Sequence, residues 1–445
     1  MMKMNAIKPA FKAGMYLLET LTSGMYNQPL TIYREYIQNA VDSIDTSNIK
    51  NLKMNVWVDL DPFSRKIEIS DNGEGIGAES AEQILSNIGI STKIDQKLRG
   101  FRGIGRLGGI AFSEKVTFIT KAKNEDIESV QEWDCKKLNR LINDKKNNSM
   151  SIKQLFNNTT TFYQNQLNRK SGSYFKVVLE GVSSFKNYLF DIEKIRDFLS
   201  EIAPLPFNKD EFTFSKEIDD YLSDNLNLYG QYDIFLNGEQ LFKPYRDIFK
   251  ITKKGIDLIE KVEFFDIIVN DESVAYGWYG LRKDMLGSIS KGERSAGIKI
   301  RQGNILIGDS HLLDQCFREP RFNSYIVGEI HIDSDWLTPN SRRDDFVDNE
   351  FKAQFYNEVE RKIGLPLSKE IRLKSRFAST PKKTEYMASA SKDVCKKNDV
   401  KQAPKNSNST EDCDNLIMLL NKCTFCERVS SCAVGKTVSK LARKN

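Results

Sequence analysis

Histidine is nearly missing from this chain of 445 residues, which has two, His311 and His331. Cysteine is sparse too: seven residues in a chain of this length do not make a disulfide framework. No apolar run approaches the roughly 20 residues that a membrane-spanning helix needs. The opening stretch Met1-Met-Lys-Met-Asn-Ala-Ile-Lys-Pro9 has no signal-peptide core, so a cytoplasmic protein with no membrane partner is expected. A P-loop is also absent: Gly435-Lys-Thr437 resembles its end, but Ser430 stands where the motif needs its first glycine.

What is present is ordinary for a soluble protein, with 40% hydrophobic and 29% charged residues and length for two or three domains. The charge is unevenly placed. Residues 361–445 carry 19 Lys+Arg against 8 Asp+Glu, and the first 360 residues are mildly acidic. Such a tail is either a solvated segment or a nucleic-acid contact.

The most informative stretch is Thr31-Ile-Tyr-Arg-Glu-Tyr-Ile-Gln-Asn-Ala-Val-Asp-Ser-Ile44, which predicts a helix. Glu35, Asn39 and Asp42 fall at i, i+4 and i+7, one polar stripe between apolar Ile37, Val41 and Ile44. An unpaired buried polar group costs about 1–3 kcal/mol, so these side chains need partners, either protein atoms or a bound ion and its ligand. Two alternating strands follow, Met54–Leu60 and Lys66–Ser70, and the second runs into Asp71-Asn-Gly-Glu-Gly-Ile-Gly77. Asp71 therefore ends a strand just before a glycine-rich turn, where backbone can approach a flat ligand closely. Next come Ser91-Thr-Lys93 and the glycine-dense Gly100-Phe-Arg-Gly-Ile-Gly-Arg-Leu-Gly-Gly-Ile110, which leads into a helix start. Backbone N–H groups there suit an anion.

These pieces, in this order, resemble the GHKL superfamily of Bergerat-fold ATPases, which includes gyrase, the heat-shock protein 90 chaperones, MutL, MORC proteins and histidine kinases. Glu35, Asn39 and Asp42 match the first motif, Asp71, Gly73 and Gly75 the second, and Gly103 and Gly105 the lid glycines. The resemblance implies ATP and Mg²⁺ as ligands. It makes Glu35 the general base that aligns the attacking water, Asn39 the Mg²⁺ ligand and Asp71 the acceptor of the adenine amino group. Ile76, Ser91, Thr92, Lys93, Arg102, Ile104 and Ser173 complete the implied nucleotide contacts, with Gly172-Ser173 filling the place of the family's Gly-Thr pair. The chemistry agrees: carboxylates accept from amines, hard cations take oxygen ligands, and in-line attack on a γ-phosphate needs a positioned base. Neither histidine sits in the dimerisation-helix context of a histidine kinase.

The expected architecture is α+β, with an N-terminal Bergerat-fold α/β sandwich over 1–207 and a middle domain over 208–364. A basic linker is expected over 365–411 and a helical, cysteine-containing tail over 412–445. In the first domain, a short helix is expected over Phe11–Thr20, a strand over Lys115–Thr120, a surface excursion over 121–170, a strand over Ser171–Glu180 and a helix over Tyr188–Leu199. In the second, Gln231–Phe242 reads as a hairpin with an Asn-Gly turn. Strands follow at Lys261–Val269, Ser273–Leu281, Gly297–Ile307 and Tyr325–Ile332, then a helix at Phe346–Ile363. This pattern is similar to the ribosomal-protein-like transducer domain of the family. Ser334–Asp344 resembles the chaperone segment whose arginine reaches the γ-phosphate. Spacing from Asn340 picks Arg343, Arg342 is the competitor, and a surface pair with Asp344 or Asp345 is the alternative.

Cys413, Cys423, Cys426 and Cys432 could ligate zinc, or be separate thiols on an amphipathic helix. The expected function is an ATP-hydrolysing conformational switch, a nucleotide-gated homodimer acting on a protein client or assembly. The alternatives are a DNA-associated ATPase using residues 365–445, and a non-hydrolysing nucleotide-gated module, which the intact Glu35 disfavours.

Overall fold

The computed structural model describes residues 13–20, 28–47, 55–90, 103–147, 149–168, 172–182, 186–252 and 255–378. The chain divides into two compact units: one is Met1–Leu205 with Gln231–Leu241, the other Pro206–Gly230 with everything from Phe242. Helices and mostly antiparallel sheets make both units α+β. Among the described residues, no helix is long and apolar enough to cross a membrane.

The first unit is built on eight strands. They are β1 (Asn55–Asp61), β2 (Lys66–Asp71), β3 (Lys115–Lys121), β4 (Ile127–Asp134), β5 (Thr160–Gln166), β6 (Tyr174–Glu180), β7 (Asp233–Leu236) and β8 (Glu239–Gln240). Their order across the sheet is β5-β4-β3-β6-β2-β1-β7-β8, antiparallel throughout except for the β1–β7 pair. Period-two alternation buries Val56, Val58 and Leu60 on β1 and Ile67, Ile69 and Asp71 on β2. Asp71 thus shares the apolar face of its strand. The helices α1 (Thr31–Asp45) and α2 (Ala78–Ser86) pack against the sheet. Ten of the fifteen α1 residues are buried, so this is a core helix, with Asp42 of its polar stripe fully buried and Glu35 and Asn39 partly so.

Three expectations change here. The 121–170 stretch is not a surface excursion: it forms β4, α3 (Cys135–Asn143), α4 (Ile152–Thr159) and β5, and buries Val130, Trp133, Leu138, Ile142 and Leu155. Most of its Asn, Lys and Gln residues occupy the wet faces of amphipathic elements, which hid the apolar period, while Lys121 and Gln131 are buried. The Asn237-Gly238 hairpin forms as read, with both residues at positive φ, but β7 pairs with β1 and so completes the first unit's sheet. The expected Phe11–Thr20 helix is, in its described part, the single turn Tyr16–Glu19. The late helix of this unit is α5 (Ile192–Ile202), capped by Asp191, whose side chain accepts from the Lys194 N–H.

The second unit holds a six-stranded sheet: β9 (Ile248–Ile251), β10 (Gly255–Val269), β11 (Glu272–Arg282), β12 (Gly297–Gln302), β13 (Ile305–Ile307) and β14 (Val327–Ile332). Its order is β13-β12-β14-β11-β10-β9. The expected Gly297–Ile307 strand is therefore a hairpin, turned at Gly303-Asn304 with both residues at positive φ. One apolar cluster joins Ile267, Ile300 and Ile330 to α7 (Glu350–Val359) and α8 (Leu365–Ala378), while a second gathers Phe207, Phe212, Tyr245 and Trp278 with α6 (Ser215–Asn225).

The linker does not begin at residue 365. Ile363, Leu367 and Ile371 lie four residues apart and enter the core, so the helix continues through them. Pro366 lies within this helix. A π-helical turn at Glu360–Gly364, directly before it, shifts the hydrogen-bond ladder and absorbs the missing N–H. Within the same unit, buried Glu329 accepts from Lys243 Nζ at 2.7 Å, Tyr245 Oη at 3.1 Å, His331 Nε2 at 3.0 Å and Arg301.

Candidate functional site

The site is assembled from α1, the loop after β2, the turn after β3 and the start of β6, all in the first unit. Glu35 and Asn39 are half-buried on α1, and Asp42 is fully buried. Gly105 lies directly over Glu35, so close that a Cβ there would overlap the Glu35 carboxylate. A glycine of the lid base and the expected catalytic carboxylate are therefore in contact. Gly103 is at φ +65°, and a Cβ on it would come within 2.7 Å of the Ile90 carbonyl oxygen. The expected helix start after these glycines is a 3₁₀ turn, Gly105–Ala111. Tyr36 holds it: its Oη accepts from Gly109 N–H at 2.9 Å and donates to the Arg106 carbonyl at 3.1 Å.

At the other end, the Asp71 side chain is buried and Oδ1 accepts from Gly73 N–H at 2.9 Å. The loop then crosses α1. Glu74 N–H donates to the Ser43 carbonyl at 3.1 Å, and a Cβ on Gly73 would come within 2.5 Å of Ser43 Oγ and 2.7 Å of Ile44 N. Only glycine fits that crossing. Gly75, at φ +69°, passes over the Lys121 carbonyl. Ile76 N–H donates to Thr120 Oγ1 at 2.8 Å, and Ser173 Oγ donates to the Gly73 carbonyl at 2.6 Å. The hydroxyl of Ser173 thus fixes the loop itself.

Structure brings Glu35, Asn39, Asp42, Asp71, Gly73, Gly75, Ile76, Gly103, Ile104, Gly105 and Ser173 into one unit, on the elements that α1 and β2 organise. Ser91, Thr92, Lys93, Arg102 and the four tail cysteines lie outside the described residues. Arg343 belongs to the second unit. It is buried at φ +55°, and its carbonyl accepts from Gly308 N–H at 2.8 Å. Arg342 makes an exposed ion pair with Asp344, at 2.9 Å.

Sequence reasoning missed Tyr36, Thr120, Lys121 and Arg106. Arg106 Nη1 donates to the Ile84 carbonyl at 2.8 Å, and buried Nη2 has no hydrogen-bond partner among the described residues. Burial pushes its pKa down to about 10, so it remains a cation at neutral pH. Its place directly after Gly105 was the available signal. The chemistry of the residues fits a nucleotide with Mg²⁺: oxygen-bearing Glu35 and Asn39 sit one helical turn apart on α1. Among the described residues, no cluster of three or more His, Cys, Asp or Glu could hold a metal by itself. An ion here would need ligand oxygens as well.

The family described as histidine kinase-, DNA gyrase B- and HSP90-like ATPase matches residues 30–167. Chaperone protein HtpG of Porphyromonas gingivalis is 29% identical over 131 residues, which cover 25% of this chain and 19% of that protein. HtpG of Shouchella clausii is 28% identical over 130 residues (25% and 21%), and that of Acinetobacter baylyi 29% over 123 residues (23% and 19%). Each match spans about a fifth of the relative's length. With the matched segment running from α1 through β5 and carrying the two motifs and the lid glycines, this chain bears a GHKL-type ATPase domain that resembles the HSP90-like branch.

Proposed function

We propose that the protein binds and hydrolyses ATP and uses the cycle as a conformational switch on a protein client or assembly. The observation that carries the reading is the contact of the Gly105 lid base with the Glu35 carboxylate, on the same helix whose far end supports the Asp71 loop. A base and a mobile-ligand cradle at one end, and a buried acceptor at a strand end at the other, span what an adenine nucleotide presents.

In this reading Asp71 accepts from the adenine amino group, and the Gly73–Gly75 backbone lies against the base. Asn39 would hold Mg²⁺ through its side-chain oxygen, an ion that neutralises phosphate charge when bound. Glu35 orients and deprotonates the attacking water. Arg106 offers its unpartnered N–H to a phosphate oxygen, a charge-assisted bond that removes the cost of leaving it unmet. Arg343 is assigned the role of neutralising developing charge on the γ-phosphate, and nucleotide-gated pairing of two copies belongs to the same proposal.

The test is steady-state hydrolysis with direct nucleotide titration on the intact chain, Glu35→Ala and Asp71→Asn. Glu35→Ala should bind without hydrolysing, and Asp71→Asn should lose binding. An intact chain that binds no ATP would falsify the assignment.

The basic tail favours DNA as a second reading. Its test is salt-dependent DNA binding with and without residues 379–445. The cut must follow Ala378, because removing α8 takes Leu367 and Ile371 out of the core. DNA binding that is absent, or unchanged by the truncation, excludes this reading.

A further inference from the structure

Lys121 ends β3 with its side chain buried. It makes no ion pair among the described residues. Its ammonium instead donates to three backbone carbonyls, those of Gly172 at 2.6 Å, Glu125 at 3.1 Å and Ala122 at 3.4 Å. Each acceptor belongs to a segment that touches the Asp71–Gly77 loop. Glu125 Oε2 accepts from Ala78 N–H at 2.9 Å, anchoring the first turn of α2 directly after the loop. Gly172 precedes Ser173, whose hydroxyl holds the Gly73 carbonyl. The Lys121 carbonyl is the surface that Gly75 crosses, and neighbouring Thr120 receives Ile76 N–H.

We propose that Lys121 is the positioning residue of the base-recognition end of the nucleotide site, a role that rests on the ATP reading above. A buried ammonium costs several kcal/mol unless its donors are met, so the three carbonyls must stay where the cation holds them. They fix the turn at residues 122–126 and the entry of β6, and these in turn fix the loop that carries Asp71 and Gly73. Lys121 touches no nucleotide in this scheme. It acts through the geometry of the acceptor and the glycine backbone, and geometry is what separates adenine, with its amino donor, from guanine, with a carbonyl at that position.

The experiment measures ATP and GTP dissociation constants, turnover at saturating ATP and thermal unfolding for the intact chain, Lys121→Met, Lys121→Gln and Lys121→Arg. Lys121→Met should weaken ATP about tenfold or more and move the ATP:GTP affinity ratio toward one, with turnover at saturation within a few-fold of the intact chain. Lys121→Arg, which keeps a charged donor, should restore part of the ratio. A merely structural lysine would lower the unfolding temperature and leave the ratio alone, and that result overturns the proposal. If Lys121→Met does not fold, Lys121→Gln decides: a smaller loss of the ratio supports the role, an unchanged ratio overturns it. Asp71→Asn separates the two levels of failure. If the intact chain binds no ATP, or Asp71→Asn binds as well as it does, the site reading fails; if Asp71→Asn loses binding while the lysine variants keep the ratio, only the role of Lys121 fails.

Discussion

Acidification should selectively weaken the second unit, and His331 is the reason. The ring is buried on β14, with Nε2 donating to Glu329 Oε2 at 3.0 Å, while Nδ1 has no hydrogen-bond partner among the described residues. Burial, opposed in part by Glu329, holds its pKa at about 4 against an ordinary 6.5. The sign follows from proton uptake. Between pH 6.5 and 4 the unfolded chain protonates this histidine and the folded chain does not, so stability present above pH 6.5 is lost as pH falls. From pH 7 to pH 5 the unfolded ring gains about 0.7 of a proton and the folded ring less than about 0.1, and the integrated difference is worth about 2 kcal/mol. Glu329 is held well below the usual carboxylate range by Arg301 and Lys243 against its own burial, and it adds loss in the same direction mainly below pH 5. Lys243, pushed down to about 8 by burial, acts on the alkaline side, where stability rises from pH 8 toward 10.5. Urea unfolding at pH 7 and pH 5, on the intact chain and on His331→Gln, isolates the histidine because the difference between the two proteins cancels titrations elsewhere. The intact chain should lose about 2 kcal/mol more than the variant. Equal losses in both proteins would refute the reasoning.

Two further outcomes are expected. Gly75→Ala must take an alanine to φ +69° and drive a Cβ into the Lys121 carbonyl, a cost of about 2–4 kcal/mol, so calorimetry should show a lowered first transition and titration a weakened ATP complex; wild-type affinity with an unchanged transition contradicts the loop geometry. Arg343→Ala should slow hydrolysis by about a thousandfold, whereas Arg342→Ala, which loses an exposed pair with Asp344, should stay within about twofold. Equal rates for the two variants in a phosphate-release assay would remove the arginine from the scheme.

The legible parts of this chain are those where one residue type has one physical use. Gly73 and Gly75 could be read from sequence because no side chain fits their crossings over Ser43 and the Lys121 carbonyl. The Glu35-Asn39-Asp42 stripe was legible because apolar neighbours on a buried helix leave few reasons for carboxylates. What escaped the reading depends on pairings far apart in sequence. The β7–β8 hairpin announced its turn but not its sheet, since the Asn55↔Asp233 register that seats it beside β1 leaves no local trace. Leu367 and Ile371 continued the stripe of Ile363, yet the low-pattern Pro, Ser, Thr, Lys and Asn composition from residue 365 onward read as linker, and a π-helical turn at Glu360–Gly364 carries the helix on through Pro366. Lys121 carried the weakest signal of all. A lysine at a strand end normally reaches solvent, and its burial is determined by three carbonyls, one of them 51 residues away. The motifs could be read one segment at a time; the groups that hold them in place, Tyr36 under the Gly105–Ala111 turn and Lys121 under the Gly75 crossing, are ordinary residues that only the fold brings there.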